Sequence, residues 1–184
     1  MAGDALGAMH AYYELGREQA RLGHPDGRVE FERSCEIILR HLPPAPGVVA
    51  DVGGGPGRYA VWLAGIGYQV HLSDAVPLHV EQARSAAAAV GLDLEASVGD
   101  ARELDLPDAS VDALLLLGPL YHLTEHGDRM TSLREARRVL RPGGVAFVAA
   151  ISRWGPRLGS GVVAALYRQY DTLLDALVDI GRPG

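Results

Sequence analysis

One stretch, Val48 to Ala60, constrains this chain more than any other. Val48, Val49, Ala50 and Val52 suit a strand covered on both faces. Glycines then recur at every second position, Gly53, Gly55 and Gly57. Glycine reaches backbone conformations that other residues avoid and lets a ligand come close to the main chain. Pro56 suits the first turn of a helix, where a missing N–H costs nothing. Tyr59, Trp62, Leu63 and Ile66 continue as an apolar stripe at helical spacing. A strand, a glycine loop and a helix start present free N–H groups to an incoming ligand. The stretch is therefore a candidate site for a nucleotide-like cofactor.

The loop fits the dinucleotide fingerprint G-x-G-x-x-G poorly. Counted from Gly53, the third glycine falls on Arg58; counted from Gly55, it falls on Ala60. The pattern D-x-G-x-G-x-G, with Asp51 ending the strand, fits better. It resembles the first motif of the class I S-adenosylmethionine (SAM)-dependent methyltransferases. That resemblance implies that Gly53, Gly55 and Gly57 wrap the methionine part of SAM and that Asp51 faces its ammonium. A carboxylate there matches a cofactor that carries a sulfonium and an ammonium but no phosphate.

Later segments extend the resemblance. Gln69 to Asp74 reads as a second strand ending in an acid. A carboxylate at that place accepts hydrogen bonds from a ribose diol, in SAM or in NAD, and would repel the 2′-phosphate of NADP. Ala75 or Val76 would flank the adenine. A helix from Pro77 to Val90 follows, with Val80, Ala87 and Val90 inward, and then a third strand, Leu94 to Val98. Gly99-Asp100-Ala101 resembles the methyltransferase segment in which the acid accepts from the adenine amine and the next backbone N–H reaches the ring. Asp51, Asp74 and Asp100 thus each end a strand, where open parallel sheets bind their ligands. Ala113 to Leu117 reads as a central fourth strand. Gly118-Pro119-Leu120-Tyr121-His122-Leu123 resembles a motif that recurs in one subgroup of the family. The resemblance places Leu117 at the methionyl end of SAM and Tyr121 and His122 toward the acceptor, with His122 a candidate general base. Packing for Tyr121 and a structural hydrogen bond for His122 remain the alternatives. An amphipathic helix over Asp128 to Leu140 has Met130, Leu133, Ala136 and Leu140 inward and Arg134, Arg137, Arg138 and Arg141 solvated. Arg141-Pro142-Gly143-Gly144 resembles the family's turn into its fifth strand, here Val145 to Ile151.

The 184 residues suit one domain, an α/β Rossmann-like three-layer sandwich with a mainly parallel sheet. Residues 45–151 form the cofactor-binding core and carry the resemblance. Residues 1–44 form an N-terminal helical lid, in which Tyr12 and Tyr13 either pack or touch ligand; Asp26 caps a helix carrying Phe31, Cys35, Ile38 and Leu42, and prolines from Pro43 to Pro46 end it. Residues 152–184 form a helical insert or lid, with Leu166, Tyr170, Leu173, Leu177 and Ile180 on one face. The complete family fold adds a helix and antiparallel strands beyond the fifth strand. Their apparent absence leads us to expect a longer protein, or a covering segment or homodimer partner at the fifth-strand edge.

The net charge of −6 argues against a nucleic-acid partner, and all 17 basic residues are arginine. Cys35 is the sole cysteine, so neither an internal disulfide nor a multi-cysteine metal site is available. No secretory signal pattern or membrane-length apolar run is visible, so a cytoplasmic protein is the default. The resemblance implies methyl transfer from SAM to an O, N or C atom of a small-molecule acceptor. An NAD-linked oxidoreductase and a non-catalytic SAM-binding subunit are the competing readings.

Overall fold

A computed structural model of the chain describes residues 25–151. Tyr12, Tyr13 and the 152–184 insert lie outside the described residues. The elements in order are α1 (Pro25–His41), β1 (Val48–Val52), α2 (Arg58–Gly65), β2 (Gln69–Asp74), α3 (Pro77–Ala89), β3 (Glu95–Val98), β4 (Val111–Leu116), a 3₁₀ turn (Pro119–Tyr121), α4 (His126–Val139) and β5 (Leu140–Val148).

The five strands pair in the order β3-β2-β1-β4-β5, all parallel. Successive side chains of a strand point to opposite faces, and the core divides accordingly. Val49 of β1 and Ala113 and Leu115 of β4 pack with α1, α2 and α3 through Ile38, Leu63, Val80 and Ala83. Ala50, Val52, Leu114 and Leu116 pack on the other face, against Ala136 and Val139 of α4. Both central strands are covered twice, which is why they read as largely apolar runs, broken only by Asp51 in β1 and Asp112 in β4. The chain runs from β1 toward β3 on one side and resumes with β4 on the other. A crevice opens where this order reverses, at the carboxyl ends of β1 and β4.

Several local expectations change. Asp26, expected at the cap, lies within the span of α1. Pro56 precedes α2, whose N-cap is Gly57 in the left-handed region, φ 82°. Ile66, read as the end of the apolar stripe of α2, and Val90, expected inward, are exposed because each stands just past the end of its helix. Arg138, expected in solvent, is half-buried. It donates to Glu135, to Asp108 and to the carbonyls of Leu104 and Leu106, so it ties α4 to the loop before β4. Arg141 pairs with Asp112, whose other oxygen accepts the Val48 N–H at 2.8 Å. The Arg141 to Gly144 run is not a turn before the strand but an irregularity within it: Leu140 pairs with Val111 and Val145 already pairs with Ala113. Cys35 is half-buried, and burial pushes its thiol up to about 11, which suits packing and not reactivity.

Candidate functional site

A cavity of about 320 Å³ opens at the carboxyl ends of the strands. That volume lies within the range of small-molecule sites. Asp51, Gly53 and Gly55 reach it from β1 and its loop, Asp74 and Ala75 from β2, and Asp100 and Ala101 from the segment after β3. Leu117, Tyr121 and His122 reach it from the end of β4. Ten of the eleven residues expected at the site therefore share one wall system. Gly57 does not line it. A Cβ there would stand 2.7 Å from the Cβ of Ala83, so Gly57 serves close packing of α2 on α3.

Gly54 falls outside the alternating glycine spacing. A Cβ at Gly54 would lie 2.7 Å from Asp51 Oδ2, so this glycine lets the loop fold directly over the carboxylate. Asp51 is buried, and its Oδ2 has no hydrogen-bond partner among the described residues. Burial raises its carboxyl to about 7; the neighbouring charge of Asp74 adds to the rise, and a backbone hydrogen bond from Ala60 opposes it. An orphaned, buried carboxylate oxygen in a cavity wall suits a cationic donor such as the ammonium of SAM.

Asp74 is held by three donors. Its Oδ2 accepts the Gly55 N–H at 2.8 Å; its Oδ1 accepts the Val76 N–H at 2.9 Å and faces His79 Nδ1 at 3.0 Å. The carboxylate keeps acceptor capacity toward the cavity on Oδ2, since each oxygen carries two lone pairs. Asp100 is more fully engaged. Arg102 donates its N–H and Nε to Asp100 Oδ1 and its Nη2 to Oδ2, which holds that carboxyl below its usual range. Arg102 also reaches Asp128 on α4 at 2.9 Å. An adenine amine can use Asp100 only by displacing part of this pairing.

Tyr121 closes the 3₁₀ turn and His122 follows it, their rings 4.6 Å apart and tilted by 54°. Both are exposed at the cavity mouth, where a second reactant could reach them. Glu30 and Ser34, one turn apart on α1, together with Arg58 and His79, also line the cavity. Arg58 lies over the Phe31 ring at 4.4 Å. The i, i+4 spacing of Glu30 and Ser34 was the only sign in the sequence that they share a face. Among the described residues no group of His, Cys, Asp and Glu could hold a metal ion, and no helix is long and apolar enough to cross a membrane.

Comparison with known proteins agrees with this geometry. A family model described as a methyltransferase domain matches residues 49–144. The demethylmenaquinone methyltransferase of Deinococcus radiodurans is 34% identical over 131 residues, covering 70% of this chain and 52% of that protein. The ubiquinone biosynthesis O-methyltransferase of Xanthomonas axonopodis pv. citri is 30% identical over 133 residues, covering 72% of this chain and 54% of that protein. The chain thus spans about half the length of the relatives it matches. In fold it resembles the PH0226 protein of Pyrococcus horikoshii OT3, with a TM-score of 0.70 at 24% identity over 82% of this chain and 71% of that one. With the family match spanning residues 49–144 and the parallel sheet built to the same plan, the chain belongs to the class I SAM-dependent methyltransferases.

Proposed function

We propose that this domain transfers a methyl group from SAM to an O, N or C atom of a small-molecule acceptor. The observation that carries the reading is convergence: carboxylates ending β1 and β2 and the one following β3 share a single cavity with a glycine loop, and Tyr121 and His122 flank its mouth. When bound, SAM supplies an electrophilic methyl on a sulfonium. The chain's own part is to hold the two reactants in line, which is where most of the acceleration of such a displacement arises. Asp51 takes the ammonium, Asp74 a ribose hydroxyl, and the backbone at Ala101 the adenine edge. Asp100 contributes to adenine only as Arg102 yields. Gly53 and Gly55 let the loop approach the methionyl chain, beside Leu117. His122 accepts a proton from the acceptor, and Tyr121 shapes the acceptor's approach.

Demethylmenaquinone and ubiquinone biosynthesis appear in the names of the Deinococcus and Xanthomonas relatives, which supports a small acceptor here. The net charge of −6 supports an acceptor other than nucleic acid, and we place the protein in the cytoplasm. The test is calorimetric titration with SAM, S-adenosylhomocysteine and NADH, followed by an acceptor panel of phenols, amines and activated carbons read by mass spectrometry. Binding of SAM and its product, with a methylated acceptor recovered, is expected. NADH binding without SAM binding would overturn the reading. SAM binding with no transfer by a full-length form would assign the chain a binding role instead.

A further inference from the structure

His79 is a polar group of the cavity wall to which the reading above gives no part. It stands in the first turn of α3 and is 3% exposed. The buried residues that follow it on α3 are Val80, Ala83 and Ala87, so apolar packing does not call for an imidazole there. Its Nδ1 lies 3.0 Å from Asp74 Oδ1. A carboxylate only accepts, so Nδ1 carries the proton of this bond.

The Asp74 carboxylate offers four acceptor positions, two on each oxygen. Oδ1 takes His79 Nδ1–H and the Val76 N–H, which fills its two lone pairs. Among the described residues Oδ2 takes only the Gly55 N–H, which leaves one position. With His79 in place the carboxylate is clamped at one oxygen and open at the other. Without His79, Oδ1 regains a position, one of three restraints on the rotation of the carboxyl disappears, and Asp74, 8% exposed, loses a donor it cannot replace from bulk water.

We propose that His79 is a positioning residue for ribose recognition: by donating Nδ1–H to Asp74 Oδ1 it orients the carboxylate so that Oδ2 alone receives a ribose hydroxyl. This rests on the cofactor reading above and extends it, because it makes selection of a hydroxylated sugar depend on a residue outside the strand-end acids.

The test compares two polar variants that differ in where the donor sits. His79→Asn places its amide nitrogen near the position of Nδ1. His79→Gln carries its amide to the level of Nε2 and leaves Asp74 Oδ1 without that donor. Both are titrated with S-adenosylhomocysteine and with its 2′,3′-dideoxy analogue, after circular dichroism has verified the fold. Loss of one hydrogen bond to a charged group corresponds to roughly a ten- to hundredfold change in affinity. His79→Gln is expected to bind S-adenosylhomocysteine at least about tenfold more weakly than wild type, with a shrunken preference over the dideoxy analogue. His79→Asn is expected to keep most of both. Equal weakening toward the two ligands, or equal behaviour of the Asn and Gln variants, would overturn the assignment and leave the cofactor reading standing. Failure of wild type to bind S-adenosylhomocysteine at all would overturn the cofactor reading and this assignment with it.

Discussion

Asp51 meets two opposed demands. Ligand binding wants its charge, whereas burial penalises that charge in the ligand-free fold. Its carboxyl is raised from the ordinary 3.8 to about 7, first by burial and then by the charge of Asp74. The folded state therefore keeps a proton that the unfolded chain has released. The contribution to stability is complete below about pH 4 and is lost as pH rises toward 7, at about 1.4 kcal/mol per unit. The carboxyls of Asp100, Asp112 and Glu135 are held low and work in the opposite direction, losing their contribution as pH falls. Asp51→Asn removes only the first effect. Melting of the ligand-free variant should come nearest to wild type at about pH 4 and exceed it by a margin that widens up to about pH 7 and then holds, while SAM affinity falls by at least about tenfold. A wild-type advantage at pH 8 would show that the buried carboxylate has a partner the geometry does not reveal. His122 gives a second, purely kinetic prediction. A positioned base contributes typically 10²- to 10⁴-fold, so His122→Ala should lower kcat by about a hundredfold at unchanged SAM affinity. Steady-state kinetics with an acceptor from the panel reads this directly, and an unchanged kcat would remove the base role.

The glycine loop shows how one element divides its work. Gly53 packs on Pro119, Gly54 on Asp51 and Gly57 on Ala83, and a Cβ at any of these positions would collide with its neighbour. Gly55 alone has nothing within 4 Å of an added Cβ. Both Gly55 and Gly57 have positive φ, 56° and 82°. Alanine at either costs about 1–2 kcal/mol of backbone energy. At Gly57 overpacking against Ala83 adds about 1–3 kcal/mol. Gly57→Ala should thus be clearly the more destabilising in urea, and Ala83→Gly should recover the packing part of the loss in a double-mutant cycle. Gly55→Ala should lose only the backbone part, about 1–2 kcal/mol, and should weaken SAM binding, because its methyl group enters the cavity space. The same loop marks what a sequence can reveal. The strand and the glycine spacing are legible because they follow a period and a residue type. The role of Gly57 is not, because it depends on Ala83, which comes from another element, and Gly54 falls outside the alternating pattern altogether.

At the scale of the whole molecule the site exists because the strand order reverses between β1 and β4. That reversal brings Asp51 and His122, far apart in the chain, to one crevice. The parallel order was legible, since acids and glycines end successive apolar runs, and so were most strand positions. Side-chain pairings were not. Nothing local marks His79 as the partner of Asp74, Arg102 as the partner of Asp100 and Asp128, or Arg138 as the tie between α4 and the loop before β4. These depend on side-chain reach in three dimensions, which period and composition do not encode. Ligand binding should therefore be felt by the whole domain, because the cavity wall is drawn from α1, from the segments ending β1 to β4 and from α3. A ligand that binds only the folded state at a hundred times its Kd stabilises it by about 2.7 kcal/mol. For a chain of this size that raises Tm by about 5–11 °C. S-adenosylhomocysteine should give a shift of this order, NADH none, and Asp74→Ala should abolish the response while keeping a cooperative melt. A shift that survived in Asp74→Ala would mean that the ligand is held mainly through the Asp51 end of the cavity. A wild-type shift with NADH and none with S-adenosylhomocysteine would return the fold to dinucleotide chemistry.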